Sequence, residues 1–200
     1  MNTKDQPFFS PIIICIIMGR MVDFPTLTLT QAPQLGGMIM GRKLVAYYSA
    51  TDNTAKLAEW LADSLGADIF GIEPANPYPS LNDSGTDCQK VSHPEIRCRR
   101  DNMCEYSLIF LGFPVCQCSI PTIIHSFIES YDMRDKTIIP FAVNEQECPI
   151  CQTSMFKDLA CPGAALLPGH IFSPDVQFQD IAIWGQCMNV QAEKITSDTI

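Results

Sequence analysis

The sequence has few histidines and few basic residues. Its 200 residues include 3 histidines and 13 lysines and arginines, against 22 aspartates and glutamates, so the formal net charge is -9. Because nucleic acids and acidic membrane surfaces are polyanions, this balance disfavours nonspecific binding to either. No stretch approaches the ~20 apolar residues that a membrane-spanning helix needs, and the nearest is the run at residues 11–18. We therefore expect neither a nucleic acid nor a membrane as a partner.

The composition is that of a globular protein, with 46% hydrophobic and 18% charged residues. The length suits one domain with a substantial core and argues against a second full domain. The ten cysteines are numerous, but the chain is too long and too regularly patterned to need a disulfide framework. We therefore expect reduced thiols and a cytoplasmic location. The acidic surface suits a small carrier that docks on basic proteins, and it suits solubility alone equally well.

Residues 1–40 lack the pattern of the rest. They carry no sustained helix or strand period, and four prolines interrupt them: Pro7, Pro11, Pro25 and Pro33. The apolar run at residues 8–18 loosely imitates a signal peptide, but no small-x-small cleavage site follows it closely. We predict a disordered or loosely packed extension, or a misassigned start with Met38 or Met40 as a natural beginning. A cleaved signal is the less favoured alternative. The domain is predicted to span residues 41–196.

From residue 42 onward, short apolar runs alternate with segments of helical periodicity. The predicted strands are residues 43–48, 67–72, 107–112, 137–143 and 164–167. The predicted helices are residues 54–65, 121–131, 153–159 and 178–190, and residues 74–105 are expected to be a long loop with room for one short helix. This alternation predicts a parallel sheet with helices on both faces, with ligands outside the carboxyl ends of the strands. The loops of interest are therefore residues 49–54, 113–120 and 144–152.

Residues 49–54 (SATDNT) join the first predicted strand to the first predicted helix. A helix N-terminus offers free N–H groups and the positive end of the helix dipole, and short hydroxylated side chains add donors. That combination predicts a cradle for phosphate. Simple capping of the helix accounts for the same residue types, so the motif alone does not decide between the two interpretations.

The opening segment, residues 43–54, resembles that of short-chain flavodoxins, whose loop reads Ser/Thr-x-Thr-Gly-Asn-Thr. The resemblance continues in family order through AEWLADSLGADIFGIEPANPY (58–78), EYSLIFLGFP (105–114) and PTIIHSFIESYDMRDKTIIPFA (121–142). By this resemblance the chain is identified as a member of the flavodoxin family over residues 42–172. It implies an α/β fold with a doubly wound, five-stranded parallel sheet of order 2-1-3-4-5 and helices on both faces.

The resemblance also implies an FMN cofactor, with its phosphate in loop 49–54 and its ring between the other two loops. Carried over to this sequence, the cofactor-binding residues are Ser49, Ala50, Thr51, Asn53 and Thr54, with Pro114 and Val115 beginning the loop against the flavin ring. The implied function is an electron carrier or a small flavin-dependent oxidoreductase, monomeric and acting with redox partner proteins. No catalytic acid or base is expected, because the cofactor carries the chemistry.

Asp52 stands where the family places glycine. Glycine permits positive φ and a close approach of the backbone, which aspartate does less well. The carboxylate also puts a negative charge beside a phosphate dianion, and at ~5 Å the repulsion is roughly 1–3 kcal/mol. If the side chain faces the phosphate, we expect FMN binding to be weakened by about tenfold to several hundredfold.

The other two loops depart from the family pattern as well. In GFPVCQCS the residues Cys116, Gln117 and Cys118 replace the expected aromatics, which removes roughly 1–3 kcal/mol of stacking. In NEQECPIC the carboxylates of Glu145 and Glu147 would disfavour a reduced flavin and lower its potential.

These departures leave two alternatives to FMN binding open. The chain could be a degenerate flavodoxin-fold module that acts by protein contact without a cofactor. Alternatively, four cysteines in the second and third loops could hold zinc tetrahedrally or form a redox-active disulfide in the old flavin pocket. These cysteines are Cys116, Cys118, Cys148 and Cys151.

Overall fold

The computed structural model of the chain describes residues 41–76, 94–115, 119–144, 155–159 and 161–198. The predicted extension at residues 1–40 lies outside the described residues, and its nature stays a prediction. None of the helices in the described part of the chain is both long enough and apolar enough to cross a bilayer.

A parallel sheet of six strands forms the centre of the fold. The strands are β1 (Arg42–Tyr47), β2 (Asp68–Gly71), β3 (Tyr106–Pro114), β4 (Thr137–Val143), β5 (Ala165–Leu166) and β6 (His170–Phe172). They are ordered β2-β1-β3-β4-β5, with β6 also paired with β4. The predicted α/β fold and the order 2-1-3-4-5 are confirmed.

The outer strand position differs from the expectation because it is divided between β5 and β6. β5 pairs with the beginning of β4 and β6 with its end. Between them, Pro168 has no N–H to donate to a ladder. A Cβ on Gly169 would lie 2.6 Å from the carbonyl oxygen of Pro140 and 2.6 Å from the ring of Phe156, so only glycine fits there. The predicted strand at residues 164–167 is therefore shorter than expected, and a sixth strand follows it.

In the described part of the chain, three α-helices connect or flank the strands: α1 (Asp52–Leu65), α2 (Thr122–Glu129) and α3 (Phe178–Asp198). α1 begins two residues earlier than predicted and ends where expected, at Gly66, whose φ of 58° is left-handed and whose N–H donates to the carbonyl of Ala62. α3 runs eight residues past its predicted end at Val190. The described parts of the loops contain two short 3-10 turns, Met103–Glu105 and Met155–Asp158.

The helices cover both faces of the sheet, which explains why the strands read as continuous apolar runs. Along β3, Ile109 and Phe113 pack into one core cluster with α2. Leu108 and Phe110 point to the opposite face and pack into a second cluster with α1 and α3. Because successive side chains of a strand alternate between faces, a strand buried on both sides must be apolar throughout.

Candidate functional site

The candidate site lies where β1 and β3 end side by side. Tyr47 of β1 is in register with Gly112 of β3, and the N–H of Tyr48 donates to the carbonyl of Gly112 at 2.9 Å. Beyond this point the chain leaves β1 for α1 on one face and leaves β3 for α2 on the other. The strand order reverses between these two neighbours, and such a switch point is where open parallel sheets bind ligands.

The predicted phosphate ligands form one continuous turn that enters α1. Thr51 is the N-cap residue, with an extended backbone (φ -128°, ψ 163°), but its side chain does not cap the helix. Ser49 does so instead: its Oγ accepts a hydrogen bond from the N–H of Ala55 at 3.2 Å and donates to the carbonyl of Thr51. Ala50 is exposed, whereas Asn53 is partly buried. The turn is therefore held in shape by Ser49.

Thr54 is the most unusual residue of this turn. Its side chain is fully buried, at 0% exposure, and its Oγ1 has no hydrogen-bond partner within the described residues. A buried hydroxyl without a partner costs about 1–3 kcal/mol, so folded proteins rarely keep one. The first N–H groups of a helix also lack an intrahelical acceptor. A ligand phosphate at this turn would supply oxygens for the hydroxyl and the helix terminus, so these residues fit the phosphate of FMN.

The backbone of Asp52 is not strained in this position. It is the first residue of α1, and of the non-glycine residues that the structure describes, only Asp135 has a positive φ. The conformational reason for expecting glycine at this point therefore does not apply here. The negative charge of Asp52 still matters for phosphate binding, because its side chain is exposed at the start of α1.

The second and third loops start from fixed points on the sheet. Pro114 is the buried last residue of β3, so it belongs to the strand rather than to the loop as predicted. Val115 is the first loop residue, and its N–H donates to the carbonyl of Val143 at 2.9 Å. Asn144 begins the third loop with its N–H bonded to the carbonyl of Phe172 in β6 at 3.0 Å. This hydrogen bond was not predicted from the sequence, although the residues that follow Gly169, His170–Phe172, could have indicated a further strand.

The four loop cysteines, Cys116, Cys118, Cys148 and Cys151, lie outside the described residues, so the zinc and disulfide hypothesis stays untested. Within the described ranges, no group of three or more His, Cys, Asp or Glu side chains could hold a metal. Cys98, Cys104 and Cys161 are free thiols, and burial raises the pKa of Cys161 to about 11.

His170 lies on β6, in the segment between the last predicted strand and the last predicted helix. Its ring centroid is 4.5 Å from that of Phe172 and 6.1 Å from that of Trp184. Burial lowers the pKa of His170, because it disfavours the charged imidazolium. Trp184 also packs edge-on against Phe110 and Phe141.

Solved structures share this architecture. A protein from Bacteroides uniformis, provisionally assigned as a flavoprotein, is 28% identical over 72% of this chain and 97% of its own, with a TM-score of 0.63. A similarly assigned protein from Bacteroides eggerthii is 29% identical over 72% and 95%, with a TM-score of 0.61. A flavoprotein from Lactobacillus acidophilus, solved in complex with FMN, has the same fold at 18% identity over 71% and 99%, with a TM-score of 0.56.

No curated protein matches the chain. The family model described as flavodoxin matches residues 42–188, which include every described strand, helices α1 and α2, and the first half of α3. This match agrees with the strand order and with the switch-point turn between β1 and α1. The chain therefore belongs to the flavodoxin family.

Proposed function

We propose that the chain binds FMN and works as an electron carrier or a small flavin-dependent oxidoreductase. One observation carries this proposal: the fully buried hydroxyl of Thr54 has no partner within the described residues and lies in the first turn of α1. A phosphate group at the helix N-terminus would accept its hydrogen bond and benefit from the helix dipole.

Two further findings support the proposal. The turn lies at the switch point of a sheet with flavodoxin order, in a chain that belongs to the flavodoxin family. The protein of this fold from Lactobacillus acidophilus holds FMN. Binding at the same edge of the sheet would bring the flavin ring towards Val115 and Asn144, where the second and third loops begin.

The roles of the chain and of the cofactor are distinct. FMN supplies the redox chemistry when it is bound. The chain's own residues bind and orient it: Thr54 and the first turn of α1 hold the phosphate, and Ser49 keeps that turn in shape through its bond to Ala55. The net charge of -9 favours encounter with basic redox partner proteins by electrostatic steering. We expect the protein to act as a monomer in the cytoplasm.

The proposal is tested by titrating the purified full chain into FMN and following flavin fluorescence anisotropy. We expect saturable one-to-one binding, because tumbling of the flavin slows once it is held by the protein. Urea-unfolded chain at the same concentration is the control for nonspecific association. Absence of binding at high-micromolar protein would refute the proposal.

The two versions of the function differ in how the flavin is reduced. FMN-loaded protein is mixed with NADH without oxygen, and flavin bleaching is recorded by absorbance. Rapid bleaching by NADH alone would favour an oxidoreductase. Bleaching only after a reductase protein is added would favour an electron carrier.

A further inference from the structure

The charge of Asp52 has no counter-ion within the described part of the chain. Its carboxylate is exposed and forms none of the ion pairs found there. Lys56 lies four residues further along α1, at the spacing that allows a helical ion pair. However, its Nζ lies 4.5 Å from the ring centroid of Trp60, one turn further from Asp52. Lys56 is therefore engaged with Trp60, away from the start of the helix.

Asp52 also shares the first turn of α1 with the buried hydroxyl of Thr54, which has no partner in the described ranges. A carboxylate in the first turn interacts favourably with the helix dipole. It thereby lowers the positive potential that a phosphate would meet at the same terminus. The carboxylate of Asp52 therefore stabilises the ligand-free protein and, by the same electrostatic effect, weakens the binding of a dianionic ligand.

Riboflavin has the same ring system as FMN but no phosphate, so its binding does not depend on this potential. We propose that Asp52 determines the flavin selectivity of the site by selectively weakening the binding of phosphorylated flavin. This inference rests on the proposed function and adds the residue that sets the affinity ratio between FMN and riboflavin. Because the backbone of Asp52 is helical and unstrained, the effect is one of charge and not of shape.

The test is the full-length Asp52→Asn variant, titrated with FMN and with riboflavin in parallel. We expect the Kd for FMN to fall by about 10- to 100-fold, while the Kd for riboflavin stays within about twofold. Asp63→Asn is the matched control: it removes the same charge from an exposed position of the same helix, about 16 Å further along its axis. That variant is expected to leave both affinities close to those of the wild type.

Salt provides a second readout that does not depend on redox activity. Added NaCl screens repulsion between an exposed carboxylate and a phosphate. Raising the salt concentration is therefore expected to tighten FMN binding by the wild type more than by Asp52→Asn. A salt dependence identical in the two proteins would contradict a local charge effect.

The outcomes separate this inference from the proposed function. If the wild type binds FMN and Asp52→Asn binds it no more tightly, the inference is wrong and the proposed function stands. If FMN and riboflavin both bind more tightly to Asp52→Asn by the same factor, the effect does not depend on the phosphate and the inference is wrong. A second variant, Asp52→Gly, tests shape. If it binds FMN more tightly and Asp52→Asn does not, the shape of the side chain limits binding and the inference is wrong. If neither protein binds any flavin, the inference and the proposed function are both refuted.

Discussion

Replacing Thr54 with valine should change the free protein and the FMN complex in opposite directions. Valine has nearly the same shape and a similar helix propensity, so the substitution removes little beyond the hydroxyl. In the free protein that hydroxyl is fully buried and has no partner within the described residues. In the proposed complex it donates a hydrogen bond to a phosphate oxygen.

The magnitudes follow from these two environments. Leaving a buried hydroxyl unsatisfied costs about 1–3 kcal/mol, so Thr54→Val should raise the free energy of unfolding of the free protein by about 1–2 kcal/mol. A hydrogen bond to a charged group contributes about 1.5–3 kcal/mol, so the same variant should bind FMN about 10- to 100-fold more weakly. A variant that is more stable yet binds less well is difficult to explain by damage to the fold.

The assay combines urea unfolding without FMN and an FMN titration of the folded protein. Thr137→Val is the matched control, because Thr137 is also buried but begins β4, at the opposite edge of the sheet from the site. The control should leave FMN affinity unchanged. Destabilisation of the free protein by Thr54→Val would show that the hydroxyl already has a partner there, and unchanged FMN affinity would show that it does not hold the phosphate.

Two further predictions concern packing and thiol reactivity. Gly112→Ala should lower the free energy of unfolding by about 1–3 kcal/mol in urea titrations, because a Cβ at this position would overlap the ring of Phe141. Gly71→Ala is its control and should have little effect, since the nearest atom would lie 3.7 Å away; equal losses would contradict this packing. At pH 8, Cys161 should react with iodoacetamide much more slowly than the exposed Cys98, because burial raises its pKa to about 11 and the thiolate is the reactive form. Peptide mass spectrometry gives both rates, and similar rates would refute the prediction.

The central strands could be predicted from the sequence because burial on both faces leaves a simple signal. β4 has the bounds that its apolar run predicts, and β1 differs by one residue at each end. The divided outer strand could not be predicted in the same way. Its break at Pro168 and Gly169 depends on contacts with Pro140 and Phe156, which are distant in the sequence. Likewise, α3 continues past Val190, where the buried Ala192 is too small to give a clear apolar period.

The location of the site followed from topology, but its hydrogen bonds did not. Ser49, Thr51 and Thr54 are all hydroxylated residues beside a helix start, and each is a reasonable capping residue by sequence alone. The conformation of the turn assigns the bond with Ala55 to Ser49 and leaves the Thr54 hydroxyl without a partner among the residues that the structure describes. The sequence also suggested backbone strain at Asp52, whereas the residue adopts ordinary helical geometry and only its charge remains relevant.

The side chains of Thr54 and Asp52 should have effects of similar size and opposite sign on FMN affinity. The hydroxyl of Thr54 should strengthen FMN binding by about 10- to 100-fold, and the carboxylate of Asp52 should weaken it by about the same factor. The two residues differ in their relation to the fold, because Thr54 is fully buried in α1 whereas Asp52 is exposed. A change at Thr54 should therefore alter both stability and affinity, and a change at Asp52 should alter mainly affinity. If the two effects nearly cancel, tight binding of FMN requires further contacts along the flavin ring, and the FMN titration measures how much those contacts contribute.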